Sequence, residues 1–283
     1  MRIVELGCSG QVARELARRG IAAAHGRDSV DFSDPAAVRA FAETVEADAL
    51  VNAAAYTAVD RAEDEPALAE TINGTAVAAL AGTAAKRGLP LVHLSTDYVF
   101  DGAGTQPIAP DALTAPLNVY GRSKLIGEQA IRAAGGPHAI LRTSWVFSAH
   151  GSNFVRTMLR LAAERDRLRI VADQVGGPTP ASAIAGACLH VAAHLARDPG
   201  VSGTYHFTGT PDVSWAGFAH EIFARAGLNC AVEEIPTAEF PTPAQRPLNS
   251  RLDCASFEAR FGITRPDWKA ALDAVLDELG ARA

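Results

Sequence analysis

A doubly wound α/β fold, with a parallel sheet covered by helices on both faces and a smaller α/β part towards the C-terminus, follows from three observations. Strands and helices alternate through the first half of the chain with short connections. A glycine-rich turn sits directly after the first strand and opens a helix. Small and polar residues gather just beyond several strands, at 52–57, 95–97 and 143–145, which is where open parallel sheets bind ligands.

Residues 2–6 read as the first strand. They run into Gly7-Cys8-Ser9-Gly10-Gln11-Val12-Ala13 and a helix to Arg19, with Gly20 just past its end. Gly7 permits the tight turn, Gly10 lets a pyrophosphate approach the backbone, and Ala13 lets the helix pack close to the sheet. The helix N-terminus offers free N–H groups to phosphate. The pattern is that of a Rossmann-type dinucleotide site. Residues 21–24 are expected as the second strand, followed by His25-Gly26-Arg27. Sites of this type put an acid near here for NAD and often an arginine for NADP, so Arg27 favours NADPH and leaves NADH open. Asp31 and Phe32 follow, placed to frame an adenine.

Residues 35–46 read as a helix and 49–52 as a strand. Ala53, Ala54 and Ala55, then Tyr56 and Thr57, leave room for a cofactor against the backbone. A long helix is expected over 66–87, stopped by Gly88 and Pro90. The apolar strand 91–94 ends in Ser95-Thr96-Asp97, and a further strand covers 139–143. Between them lies Tyr120-Gly121-Arg122-Ser123-Lys124. A tyrosine and a lysine four apart share a helix face, so the ammonium can favour the phenolate and lower the phenol pKa. Such a phenol exchanges a proton with a carbonyl or hydroxyl oxygen.

The second half predicts helices over 154–164, 182–196 and 214–226, a C-terminal helix ending near 279, strands near 168–171 and 205–207, and a proline-rich loop over 236–251. Residues 1–145 are expected to form the NAD(P)-binding domain. Residues 146–283 are expected to be mainly substrate-binding, with the chain crossing back to the sheet.

At 283 residues, with 48% hydrophobic and 20% charged residues, the chain is long enough for a full core. A net charge of -6 argues against nucleic acid as the main partner. No stretch is apolar enough for a membrane span. Four scattered cysteines without a C-x-x-C read as reduced thiols of a cytoplasmic protein. His190 and His194, one helical turn apart, lack a third ligand and read as an ordinary helix face. The arginines at 156, 160, 165, 167 and 169 read as a solvated face.

The N-terminal glycine turn together with Tyr120 and Lys124 resembles the extended short-chain dehydrogenase/reductases. Longer stretches at 51–60, 95–102, 116–124 and 141–147, with 173–179 and 246–252, are similar to the dTDP-4-dehydrorhamnose reductase family within that group. The resemblance implies hydride delivery from NADPH to C4 of a nucleotide-linked 6-deoxy-4-ketohexose. It implies that Tyr120 protonates the oxygen, that Lys124 lowers the tyrosine pKa and holds the nicotinamide ribose, and that Thr96 hydrogen-bonds the same carbonyl. It places Asp97, Trp145, Arg246 and Asn249 on substrate, and Gly10, Gln11, Val12, Asp31, Phe32, Ala55, Tyr56 and Thr57 on cofactor. Related dehydratases carry Asp-Glu after the threonine; Asp97-Tyr98 here lacks the second carboxylate and favours reduction over elimination. Some members hold magnesium at a dimer interface with three glutamates. Glu15 and Glu278 match two of these and Ser182 stands at the third, so neither magnesium nor that dimer is predicted, and a monomer or homodimer is left open. Another nucleotide-sugar reductase or epimerase, or a non-catalytic NADP-binding subunit, are the alternatives.

Overall fold

The computed structural model describes residues 1–283. In chain order the elements are β1 (Ile3–Leu6), α1 (Gln11–Arg18), β2 (Ala23–His25), α2 (Pro35–Thr44), β3 (Ala49–Asn52), α3 (Val59–Ala62), α4 (Pro66–Glu70), α5 (Ala76–Lys86), β4 (Leu91–Thr96), α6 (Val119–Ala134) and β5 (His138–Thr143). The second half adds β6 (Val146–Phe147), α7 (Phe154–Glu164), β7 (Arg167–Val171), β8 (Val175–Gly176), β9 (Thr179–Pro180), α8 (Ala181–Leu195), β10 (Gly203–His206), β11 (Val213–Ser214), α9 (Trp215–Arg225), β12 (Ala231–Ile235), β13 (Asn249–Ser250), α10 (Ala255–Phe261) and α11 (Trp268–Glu278).

Six parallel strands make the main sheet in the order β10-β5-β4-β3-β1-β2. The order reverses between β1 and β3, which opens a crevice beyond their carboxyl ends. The last strand, β10, comes from the second half of the chain and pairs with β5.

Each face of the sheet has its own core. Ile3, Val51, Val92 and Leu141 pack against α1, α8 and α10 through Leu16, Ile184, Val191 and Phe257. Val4, Leu6, Leu50, Leu91 and Ile140 face α2, α5 and α6 through Val38, Val77, Leu80 and Ile131. A third core, with Met158, Leu168, Phe218, Ile222, Trp268 and Leu272, joins α7, α9 and α11 over the parallel pair β7–β12. No helix is long and apolar enough to cross a membrane.

Three expectations change. The second strand lies at Ala23–His25, two residues later than the apolar run suggests. Its first residue, Ala23, pairs with Val4, while Ala22 donates to the Ile3 carbonyl as the chain enters the sheet. The helix over 66–87 is interrupted by a π-helical turn at Thr71–Thr75. That turn lets Asn73 reach both the Tyr56 backbone and the Ser123 hydroxyl, an example of a bulge serving a local contact. The 236–251 loop contains a 3-10 turn at Thr237–Glu239 and the short strand β13.

Candidate active site

The glycine turn is built for close approach. Gly7 has φ +103, and a Cβ there would lie 2.9 Å from the Ala54 nitrogen. Only glycine serves on both counts. At Gly10 a Cβ would meet nothing within 4 Å, so the space above the turn is open. No side chain caps the N-terminus of α1, whereas Asp34, Asn118 and Asn153 cap α2, α6 and α7. The first N–H groups of α1 are therefore free to meet an anion.

Other residues expected on cofactor divide into open and committed ones. Arg27 is largely exposed, with its Nε 3.9 Å from Asp31 Oδ1. The Ser33 N–H holds the Asp31 carboxyl below its usual range. The Phe32 side chain is part of the core with Val30 and Val38, which leaves only its backbone for contact. Gln11 Oε1 accepts from Ser148 Oγ and Asn153 Nδ2, and its Nε2 donates to the Val146 carbonyl, so this side chain ties α1 to the second half of the chain. Val12 is buried in the α1 face. Ala53, Ala54, Ala55 and Tyr56 are half-buried and Thr57 is exposed. The Tyr56 hydroxyl donates to Glu65 at 2.7 Å, which fixes this loop against α4.

Thr96, Asp97, Tyr120 and Lys124 come together where β4 ends against α6. Asn118 caps α6 by accepting from the Gly121 N–H at 2.8 Å. Gly121 is required here, because a Cβ would lie 2.1 Å from the Tyr98 carbonyl oxygen. The helix can thus press onto the strand end. The Thr96 hydroxyl lies beside the Tyr120 phenol and donates to Asp97 Oδ1 at 3.0 Å. Ser250 donates to Asp97 Oδ2 at 2.5 Å. Burial pushes the Asp97 carboxyl up to about 6, against the hydrogen bonds from Ser250 and Thr96.

The phenol differs from expectation. Burial raises Tyr120 to about 12, with the Thr96 hydroxyl partly offsetting it. Lys124 Nζ donates to the Leu94 carbonyl at 2.7 Å and lies 3.2 Å from His93 Nε2. Burial lowers Lys124 itself to about 8, and the charge of Glu128 only partly opposes this.

The residues expected on substrate are spread round this point. Trp145 adopts φ +50, a rare conformation for a bulky residue and one that concentrates at functional sites. Its ring stacks on Trp215 at 3.6 Å between centroids and an 11° interplanar angle. Arg246 makes a two-pronged pair with Asp60, at 2.7 and 3.0 Å. Asn249 is buried and donates to the Gln106 carbonyl at 2.8 Å. Both side chains brace loops in this structure.

Glu15 and Glu278 share Arg18 as a partner, and basic side chains surround them. Arg18 pairs with both, Arg19 with Glu15, and His150 Nε2 lies 3.4 Å from Glu278. No group of three His, Cys, Asp or Glu side chains is placed to hold a metal. His190 and His194 pack edge-on to Phe261, with His190 Nε2 3.1 Å from the Phe261 carbonyl.

Comparison with known proteins decides the family. The model described as RmlD substrate binding domain matches residues 1–281. A dTDP-4-dehydrorhamnose reductase of Burkholderia thailandensis is 44% identical, over 99% of each chain. The chain belongs to the dTDP-4-dehydrorhamnose reductase family. The crystal structure of a dTDP-4-dehydrorhamnose reductase from Clostridium acetobutylicum matches with a TM-score of 0.93 at 35% identity, over 99% of this chain and 100% of that one. The Bacillus anthracis dTDP-4-dehydrorhamnose reductase, solved in complex with NADP, matches with a TM-score of 0.90 at 31% identity, over 98% and 99%.

Within this member of the reductase family, four site residues escaped the sequence reading. His93 carried a usable signal, a histidine inside an apolar strand. Asn73 needs the π-helical turn, Trp215 comes from a distant helix start, and Ser250 reaches Asp97 across 153 positions. None of these three juxtapositions is local in sequence.

Proposed function

We propose that this chain reduces the C4 ketone of dTDP-4-dehydro-L-rhamnose to dTDP-L-rhamnose, with NADPH as the reductant. One feature carries the reading: Tyr120, Thr96 and Lys124 bring a phenol, a hydroxyl and an amine together at the end of β4, and His93 and Asn52 link that point to the Ala54 backbone beside Gly7. The crevice fits a dinucleotide, because Gly7 admits close backbone approach, Gly10 leaves open space and the α1 N–H groups lack a cap. Arg27, exposed and only loosely paired, is free to meet a 2′-phosphate. Bound there, reduced nicotinamide supplies the hydride.

The chain's own groups handle the proton. A phenol near 12 keeps its proton at neutral pH, the form a general acid needs. Tyr120 donates that proton to the C4 oxygen as negative charge develops on it. The Thr96 hydroxyl turns from Asp97 to hydrogen-bond the same oxygen. In its protonated form Lys124 stabilises the phenolate left behind. Trp145, backed by Trp215, gives an apolar wall for a sugar or base, and Arg246 exchanges Asp60 for the substrate diphosphate.

The test is an assay of purified protein with NADPH and the 4-keto sugar nucleotide, with product stereochemistry read by NMR. Tyr120→Phe is expected to lower kcat by about 10²–10⁴-fold while NADPH affinity is retained. Unchanged turnover would remove Tyr120 as the acid. Cofactor binding without reduction of any 4-keto sugar nucleotide would leave a binding subunit instead of an enzyme.

A further inference from the structure

The face of the sheet under α6 is apolar until the two register rows nearest its carboxyl end. There Asn52 and His93 stand side by side, as registered neighbours on β3 and β4. Both side chains are fully buried. Asn52 Nδ2 lies 3.0 Å from His93 Nδ1, and His93 Nε2 lies 3.2 Å from Lys124 Nζ. The chain of contacts starts at the Ala54 N–H, which is 3.1 Å from Asn52 Oδ1.

Hydrogen-bond polarity propagates along these contacts. The Ala54 N–H can only donate, so the Asn52 atom facing it is the oxygen. The Asn52 amide therefore donates to His93 Nδ1. Burial keeps the imidazole neutral, so its one proton sits on Nε2 and points at Lys124. An ammonium has no lone pair to accept it. A neutral amine accepts from His93 and donates to the Leu94 carbonyl, which satisfies every group in the chain.

We propose that Asn52 and His93 form a relay of fixed polarity that presents an N–H donor to Lys124, and so positions this residue and favours its neutral amine. His93 is a positioning residue: it acts through Lys124 and does not touch the reacting atoms. The other titratable groups around the amine are Tyr120 and Glu128 on α6, with Asp97 beside Tyr120. Glu128 is the one that favours the charged form, and it is itself paired with Arg142 of β5 and Arg132. Asn52 and Asn73, from β3 and the π-helical turn, are neutral. The proposal rests on the reductase reading only for its kinetic consequence. The tautomer and the binding behaviour stand apart from it.

Two readouts test the relay without substrate. Ring nitrogen resonances of histidine-labelled protein, with His93 assigned by its loss in His93→Gln, are expected to show the Nε2–H tautomer. An Nδ1–H tautomer would overturn the proposal. NADPH affinity of the wild type is expected to fall above about pH 8, as the ammonium is lost. In His93→Gln a carboxamide oxygen can turn to accept from the ammonium, so that fall moves up by about one pH unit, a tenfold change in proton affinity. The alkaline limb of the kcat/KM profile for the 4-keto sugar nucleotide is expected to move with it. A purely structural histidine would lower kcat and leave both limbs in place, which would also sink the relay. If NADPH binds with the expected profile and no ketone is reduced, the reductase reading fails and the relay survives. An Nδ1–H tautomer in an active enzyme does the reverse.

Discussion

Lys124 and Glu128 lie one turn apart on α6, face the same side of the sheet and are almost equally buried, yet the charged form is disfavoured at Lys124 and favoured at Glu128. Glu128 meets the second polar row of the sheet, where Ser95, Arg142 and His206 stand in register. Arg142 grips its carboxylate at 2.6 and 2.8 Å, and Ser95 donates at 2.6 Å. Burial alone would raise that carboxyl. These hydrogen bonds and the arginine charge outweigh burial and hold it below its usual range. Lys124 meets the first row, where its partners are a neutral imidazole and a carbonyl, and burial wins. The lesson is that burial sets no charge state by itself. A buried group keeps its charge where a full counter-charge and matched donors are built in, and yields it where they are not.

The largest effect follows from breaking the compensated pair. Glu128→Ala leaves Arg142 buried without a counter-charge and is expected to cost about 3–5 kcal/mol of folding stability, read from denaturant unfolding. Glu128→Leu combined with Arg142→Met should recover most of that loss, because it removes both charges together. A single variant with wild-type stability would mean that the pair contributes nothing.

A third buried ionisable group sharpens the contrast. Glu5 lies on β1 under α8, fully buried, and neither carboxyl oxygen has a hydrogen-bond partner. Burial pushes it up to about 8. The folded state then holds a proton that the unfolded chain releases above the ordinary glutamate range near 4.5. Stability contributed by this group is full below that value and is lost as pH rises through about 8. Glu5→Leu is expected to flatten this part of the stability profile. At pH 8 it should gain on the order of 2–3 kcal/mol. Parallel wild-type and variant profiles of thermal unfolding between pH 5 and 8 would show that Glu5 finds a partner in solution.

These three positions also show what the chain reveals in one dimension. Alternation of strands and helices, the glycine turn and the Tyr120–Lys124 spacing are local, so the sheet and the candidate acid were legible in residue order. Glu5 gave no sign, because an acid in a four-residue strand reads like an edge position until α8 is laid over it. The pairing of Glu128 with Arg142 spans two elements and depends on strand register. The direction of the Tyr120 shift was misjudged for a related reason. Helical spacing places an ammonium near a phenol, but it cannot tell that burial raises the phenol or that the Leu94 carbonyl takes the Lys124 Nζ across the sheet. Short two-residue strands such as β6 and β9 exist only through their partners and carry no pattern of their own.

The smallest effect on folding is expected at Lys124 itself. Lys124→Met keeps a similar length and apolar stem and removes a group whose charged form burial disfavours. It also leaves the Leu94 carbonyl and the His93 Nε2 proton without their partner, a penalty of about 1–3 kcal/mol that offsets the relief. The net change should stay within about 1 kcal/mol of the wild type, while turnover of the 4-keto sugar nucleotide falls by about 10²–10⁴-fold. That split separates the two turns of α6. Where Glu128 is removed, folding fails first; where Lys124 is removed, chemistry fails in a protein that still folds. A Lys124→Met variant that unfolds as readily as Glu128→Ala would mean that the first polar row holds the sheet and α6 together as firmly as the second does, and that the amine is retained for structure.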